Sequence, residues 1–280
     1  MATNWECALS DLRCKLKDNE IEVTNRVTSY ESEIAQKQVF RGKPVVITIL
    51  FVIVLASISI LIFNKHKFSK CIEDAVTDAD GNTYDAIRIG DQIWTIENLK
   101  TTKYNDGTSI PMFSNKFEWQ ESRTPAYCWY NNDINNKMKY GALYNWYAVK
   151  TGKLAPKGWH VSTNEEWTKL EKYMIDKGFN WDKTRMNNKI AKSLAAKTDW
   201  STNKGGTGDI GNNLAINNKS GFSALPGGYR SFDGNFNNIN TMGCWWGGTL
   251  FCEYGFLGKG FLGKGIFHDN CGCSIRLLRD

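Results

Sequence analysis

Residues 45–63 read VVITILFVIVLASISILIF, nineteen positions without a charge, Asn, Gln, Gly or Pro. At 1.5 Å rise per residue such a helix spans roughly 28 Å, close to the thickness of a bilayer core. A buried core helix would carry polar positions on one face, and Ser57 with Ser59 do not make one. Forty-four residues precede the run and no small-residue cleavage site follows it, so a cleaved signal peptide does not fit. The pattern therefore predicts a tail (1–44), one transmembrane helix (45–63), a short polar linker (64–75) and a globular domain (76–280). The lipid bilayer is the partner expected of residues 45–63.

Beyond the linker the periodicity changes. Tyr84 to Ile89 and Gln92 to Ile96 alternate apolar and polar positions between Asp80-Gly81 and Gly90-Asp91 turns, which predicts a meander of antiparallel strands. Tyr140 to Val149 reads as a short aromatic helix. Thr163-Asn164-Glu165-Glu166 is a capping box, followed by Trp167, Leu170 and Met174 at helical spacing and a stop at Gly178. A third helix is expected around Asn187 to Lys197. From Ser201 onward seventeen glycines and runs of Asn predict short strands and long loops. GFLGK occurs twice there, at Gly255 to Lys259 and Gly260 to Lys264, as a duplicated loop segment or an extended hairpin. The fold class expected is α+β, with short antiparallel strands, two or three helices and long Gly/Asn-rich loops behind one transmembrane helix.

Charge refines this only slightly. The first 44 residues hold seven Lys/Arg and seven Asp/Glu, so the whole formal excess of +6 belongs to the remainder. Its basic residues are scattered singly, which describes a solvated surface and not a nucleic-acid partner. Lysines and arginines flank the apolar run equally, so flanking charge does not orient it. Six of the eight cysteines (Cys71, Cys128, Cys244, Cys252, Cys271 and Cys273) follow it, an even number that suits disulfides outside the cytoplasm. That places the N-terminus in the cytoplasm and the domain outside it. The pattern carries no signal for oligomeric state.

No phosphate loop, dinucleotide fingerprint or serine elbow occurs. Asp78, Asp80 and Asn82 begin the spacing of a calcium loop, but the twelfth position is Ile89 where a bidentate Glu is needed, so a β-turn is expected. Cys271-Gly-Cys273 would suit a soft metal such as copper if reduced; disulfides are the simpler state in an oxidising compartment. No cofactor is expected beyond those two alternatives. Trp245-Trp246, in a glycine-flanked segment, offers aromatic faces of the kind that hold sugar rings or peptide side chains. With Tyr254 and His268 they are the candidate ligand contacts.

Seven blocks in order carry a family resemblance: DADGNTYDAIRIGDQIW (Asp78 to Trp94), ENLKTTKYNDGTSI, AYCWYNND, YGALYNWYAV, APKGWHVSTNEEWTKLEKY, GFSALPGGYR (Gly221 to Arg230) and SIRLLRD (Ser274 to Asp280). The chain resembles the Fibrobacter succinogenes major paralogous domain of bacterial envelope proteins. The resemblance implies an extracytoplasmic location at the bacterial cell membrane or surface. Its GWH and closing-arginine blocks are also similar to formylglycine-generating enzymes, which implies a C-type-lectin-like fold. Ser162 stands where the family has proline, and Leu277 where a cysteine follows the closing Arg276. The resemblance leaves Cys271 or Cys273 as partner for Cys128. The function expected is a membrane-anchored binding or adhesion module whose ligand is a glycan, peptide or envelope protein, the alternative being a cysteine-dependent oxidase.

Overall fold

The computed structural model describes residues 72–248, 251–256 and 260–280. Strands β1 (Ile72–Thr77), β2 (Thr83–Ile89) and β3 (Gln92–Thr95) form the expected antiparallel meander. The Asp78 to Asn82 turn joins the first two. Asp78 Oδ1 accepts the Asp80 and Asn82 backbone N–H groups, and Asp78 Oδ2 accepts the Asn82 side chain and the Tyr84 hydroxyl. Those donors occupy the carboxylate, so the turn is built by the residues that would otherwise face a cation. Short helices α1 (Lys116–Glu121), α2 (Asn136–Tyr140) and α3 (Trp146–Val149) follow, with strands β4 (Tyr127–Cys128) and β5 (Leu143–Tyr144) paired between them. Strand β6 (Trp159–Val161) leads into α4 (Asn164–Asp176), and α5 (Ala191–Leu194) is a single turn. The rest is strand and loop: β7 (Tyr229–Arg230), β8 (Phe236–Asn237), β9 (Met242–Trp246), β10 (Phe251–Phe256), β11 (Gly263–Ile266) and β12 (Leu277–Arg279).

The closing strand β12 inserts between β3 and β6, giving a five-stranded sheet in the order β1-β2-β3-β12-β6. Adjacent residues of a strand point to opposite faces. Leu277 accordingly joins one buried cluster, with Tyr84, Tyr144 and Trp246, while Leu278 joins a second, with Trp94, Trp167, Phe222 and Trp245. Core therefore lies on both faces of the sheet. In the second cluster the Trp94 and Trp167 rings sit 4.8 Å apart, with Trp167 5.5 Å from Phe222 and 6.2 Å from Trp245.

The helix α4 fulfils its sequence signals. Thr163 Oγ1 accepts the Glu166 N–H, the Glu166 carboxylate accepts the Thr163 N–H, and Trp167, Leu170 and Met174 are buried. Two other helices differ from expectation. Tyr140 to Val149 breaks into α2, β5 and α3, because Gly141 (φ +74) packs against Leu99 and Asn98 where a Cβ would meet their backbone and side chain. Asn145 then caps a new turn through Ala148 N–H. The expected helix 187–197 shrinks to α5, since Asn187 is left-handed and Ala195 leaves to form a parallel bridge with Ala224. Gly255 and Phe256 of the first GFLGK copy lie in β10 and Gly263-Lys264 of the second in β11, its antiparallel partner, while residues 257–259 lie outside the described residues.

One expectation requires correction. The described domain is sheet-rich with few helices rather than the mixed domain expected, and a preceding transmembrane helix is not supported. Among the described residues no helix is long and apolar enough to cross a membrane. The longest, α4, has 13 residues, about 20 Å, and is polar on its outer face. The run at 45–63 lies outside the described residues.

Two fully buried arginines organise the loops around these sheets. Arg276 donates to Asn98 Oδ1 and to the carbonyls of Thr95, Phe222 and Ser223, with its guanidinium over the Phe222 ring. Burial pulls its pKa down to about 9, so it stays charged at neutral pH. Arg230 donates to the carbonyls of Gly234, Phe113, Ser114 and Asn115 and stacks on Trp119 at 4.4 Å. A guanidinium has five donors in a planar fork, so one side chain ties several chain segments together.

Candidate ligand cleft

The residues singled out for ligand contact scatter. Trp245 and Trp246 are 1% and 0% exposed, so neither presents an aromatic face to a ligand. They point to opposite faces of β9, but both faces are core: the Trp245 indole donates to Asn98 Oδ1 and the Trp246 indole to the Tyr144 carbonyl. The pair is structural. Tyr254 lies on β10 opposite Cys244, and its side chain is outside the described residues. His268 is exposed, stacks on Phe232 at 5.4 Å and accepts the Asn270 N–H at Nδ1.

Among the described residues the cysteines do not assemble a thiol site. Cys128 and Cys271 are free and buried. Burial pushes their pKa values up to about 12 and about 11, and that of Cys273 well above the ordinary thiol range. A protonated, enclosed thiol is neither a good nucleophile nor a ready metal ligand. Cys244 and Cys273 bring their sulfurs to 3.2 Å. Cys71 and the Cys252 side chain lie outside the described residues. Among the described residues no three His, Cys, Asp or Glu side chains converge on a common metal position.

A cleft of about 460 Å³ opens elsewhere, beyond the C-terminal end of α4, within the size range of small-molecule sites. Its first wall is the loop 180–189. Asn180, 2% exposed, directs its amide at the carbonyls of Thr184, Met186 and Asn187, and its Oδ1 accepts the Lys189 N–H at 2.9 Å. A further bond from Trp181 N–H to the Lys189 carbonyl closes the loop. Asp182 accepts from the Thr184 N–H and hydroxyl and pairs with Lys189. Asn188 staples the loop to Leu262 through both its amide atoms. Residues 180–189 are thus fixed by side-chain bonds where no helix or strand holds them.

This loop carries Trp181, 41% exposed. The covered part of the indole lies against Gly208 and Gly260, and a Cβ at Gly208 would overlap the ring. The opposite wall comprises α5 and the loop 205–219. Lys192 is 3% exposed, and its ammonium donates to the Asp209 carbonyl at 2.8 Å and to the Asn212 carbonyl. Burial lowers its pKa, against the attraction of Asp209. Lys219 reaches the Gly178 carbonyl at 3.2 Å and lies over the Phe179 ring. Lys183, Ser193, Thr207 and Ile216 complete the lining. The cleft thus combines one indole face with ammonium and hydroxyl groups.

None of these residues stood out in the sequence. Trp181 gave one signal: it sits in FNWDKT, where no helical or alternating pattern claims it for a core. The lysines gave none, because Lys183, Lys192 and Lys219 come together only when two loops close.

No curated protein and no solved structure matches the chain, so the C-type-lectin-like likeness is not shown. A family model described as the Fibrobacter succinogenes major domain matches residues 87–279, well over half of the chain, and the protein belongs to that family.

Proposed function

We propose that the domain is a binding module, not an enzyme, and that its ligand is a glycan held in the cleft between loops 180–189 and 205–219. The observation that carries this is Trp181: a large indole left two-fifths exposed on a loop fixed from beneath by one buried amide. An apolar ring beside hydroxyl and ammonium donors suits a sugar, which offers apolar C–H faces and polar edges. A fixed loop lowers the ordering cost of binding. Work outside the cytoplasm, on envelope or extracellular glycan, belongs to the same proposal.

The test is a glycan and peptide array probed with the full-length protein and with Trp181→Ala, followed by calorimetry on the hits. The reading expects saccharide hits that weaken at least tenfold in the variant. Peptide hits alone, or saccharide binding indifferent to Trp181, would overturn it.

A further inference from the structure

We infer that the cleft selects an acidic saccharide, one whose sugar ring bears a carboxylate or sulfate; this rests on the glycan reading above and narrows it. The inference comes from the lining of the cleft, which holds three lysines and no Asp or Glu. Six of the eighteen described lysines, Lys103, Lys139, Lys153, Lys169, Lys189 and Lys264, each lie against an Asp or Glu, and twelve do not. Lys183, Lys192 and Lys219, the three that line the cleft, form no such pair among the described residues. Of the neighbouring carboxylates, Asp182 pairs with Lys189 and accepts from Thr184, while Asp209 accepts the Gly206 N–H and attracts Lys192 without an ion pair.

Lys192 matters most. Its ammonium is held by two backbone carbonyls, which fix its position, and Asp209 attracts it without forming an ion pair. Three lysines on a lining without carboxylates make the cleft attractive to an anion. Lys219 and Lys183 add exposed ammonium groups at the rim, within the class of donors that make charge-assisted bonds to a carboxylate or sulfate. Trp181 supplies the complementary requirement, because inorganic anions gain nothing from an indole face and a sugar ring does. Nucleic acid is a poorer match, since one indole makes no stacking platform for successive bases.

The experiment uses the full-length protein in calorimetric titrations with a uronic-acid trisaccharide, its methyl ester, a sulfated trisaccharide and inorganic sulfate. The inference expects one of the two acidic sugars to bind at least tenfold more tightly than the ester, since each hydrogen bond to a charged group contributes about tenfold or more. That preference should shrink several-fold in Lys183→Gln/Lys219→Gln and in 0.5 M salt, roughly three times physiological ionic strength. Both substitutions are at solvated lysines, so a folded variant is expected; Lys192→Met serves as the second variant and should lose the preference entirely. An ester that binds as tightly as the acid, still dependent on Trp181, would overturn the acidic inference and leave the glycan reading standing. Sulfate that binds as tightly as the acidic sugars would overturn the saccharide part. No binding of any sugar would remove both readings.

Discussion

Asn180 and Arg276 show how single polar side chains do the work of missing secondary structure. Three carbonyls share the two amide hydrogens of Asn180, and its oxygen takes a fourth bond. Asn180→Ala should cost roughly 2–3 kcal/mol, the sum of several modest bonds with buried carbonyls left unsatisfied. Urea unfolding would measure it, and a loss below about 0.5 kcal/mol would show that the loop holds without the amide. Arg276→Met takes the guanidinium from the Thr95, Phe222 and Ser223 carbonyls and leaves Asn98 Oδ1 with the Trp245 indole alone, for an expected loss of about 3 kcal/mol or more in the same assay. Gly208→Ala is expected to leave stability nearly intact while pushing Trp181 out of place. A crystal structure of that variant with the indole unmoved would contradict the packing described. Residues of this kind are the least legible in a sequence. Nothing in FNWDKT announces that one amide will bridge seven residues, and the adjacent indoles of Trp245-Trp246 attracted attention that burial on both faces of β9 does not justify.

Elements were legible in proportion to how local their causes are. The strands β2 and β3 and the capping box of α4 are decided by neighbours within a few residues, and the sequence announced each of them. The segment 140–149 and the helix expected at 187–197 are decided by partners far along the chain, at Leu99 and Ala224, so helical spacing alone misreads them. The start of α4 also carries a pH dependence. His160 sits between Asp280, 2.7 Å from Nδ1, and Glu166, 2.8 Å from Nε2. Partial burial works to lower its pKa, but the two carboxylates outweigh it and the net shift is upward. A raised folded-state pKa means that the contribution is complete below the unfolded value near 6.5 and is lost as pH rises through the folded value. Stability should therefore decline as pH rises from near 6.5 through the raised folded value, and His160→Gln should flatten that decline. Urea midpoints at pH 5.5, 7 and 8.5 would show this; parallel curves for both proteins would contradict it. Thr163→Ala, which removes the cap itself, should cost about 1 kcal/mol at all three pH values.

At the scale of the molecule, two buried clusters on either side of one sheet leave the thiols sealed and the cleft exposed. Cys128 and Cys271 should resist a thiol reagent at neutral pH until the domain unfolds, with a labelling rate that follows the global unfolding free energy. Fast labelling of either in the native protein would reopen the cysteine chemistry considered from sequence. The family and the sheet-rich architecture leave function to the site, and the site proposed is the cleft. Its most direct test follows indole Nε1–H resonances of the full-length protein during titration with the acidic trisaccharide that binds best. The account predicts that the Trp181 resonance shifts with saturation while those of the buried Trp245 and Trp246 stay fixed, and that Trp181→Ala abolishes binding. Saturable binding that leaves the Trp181 resonance unmoved would contradict it.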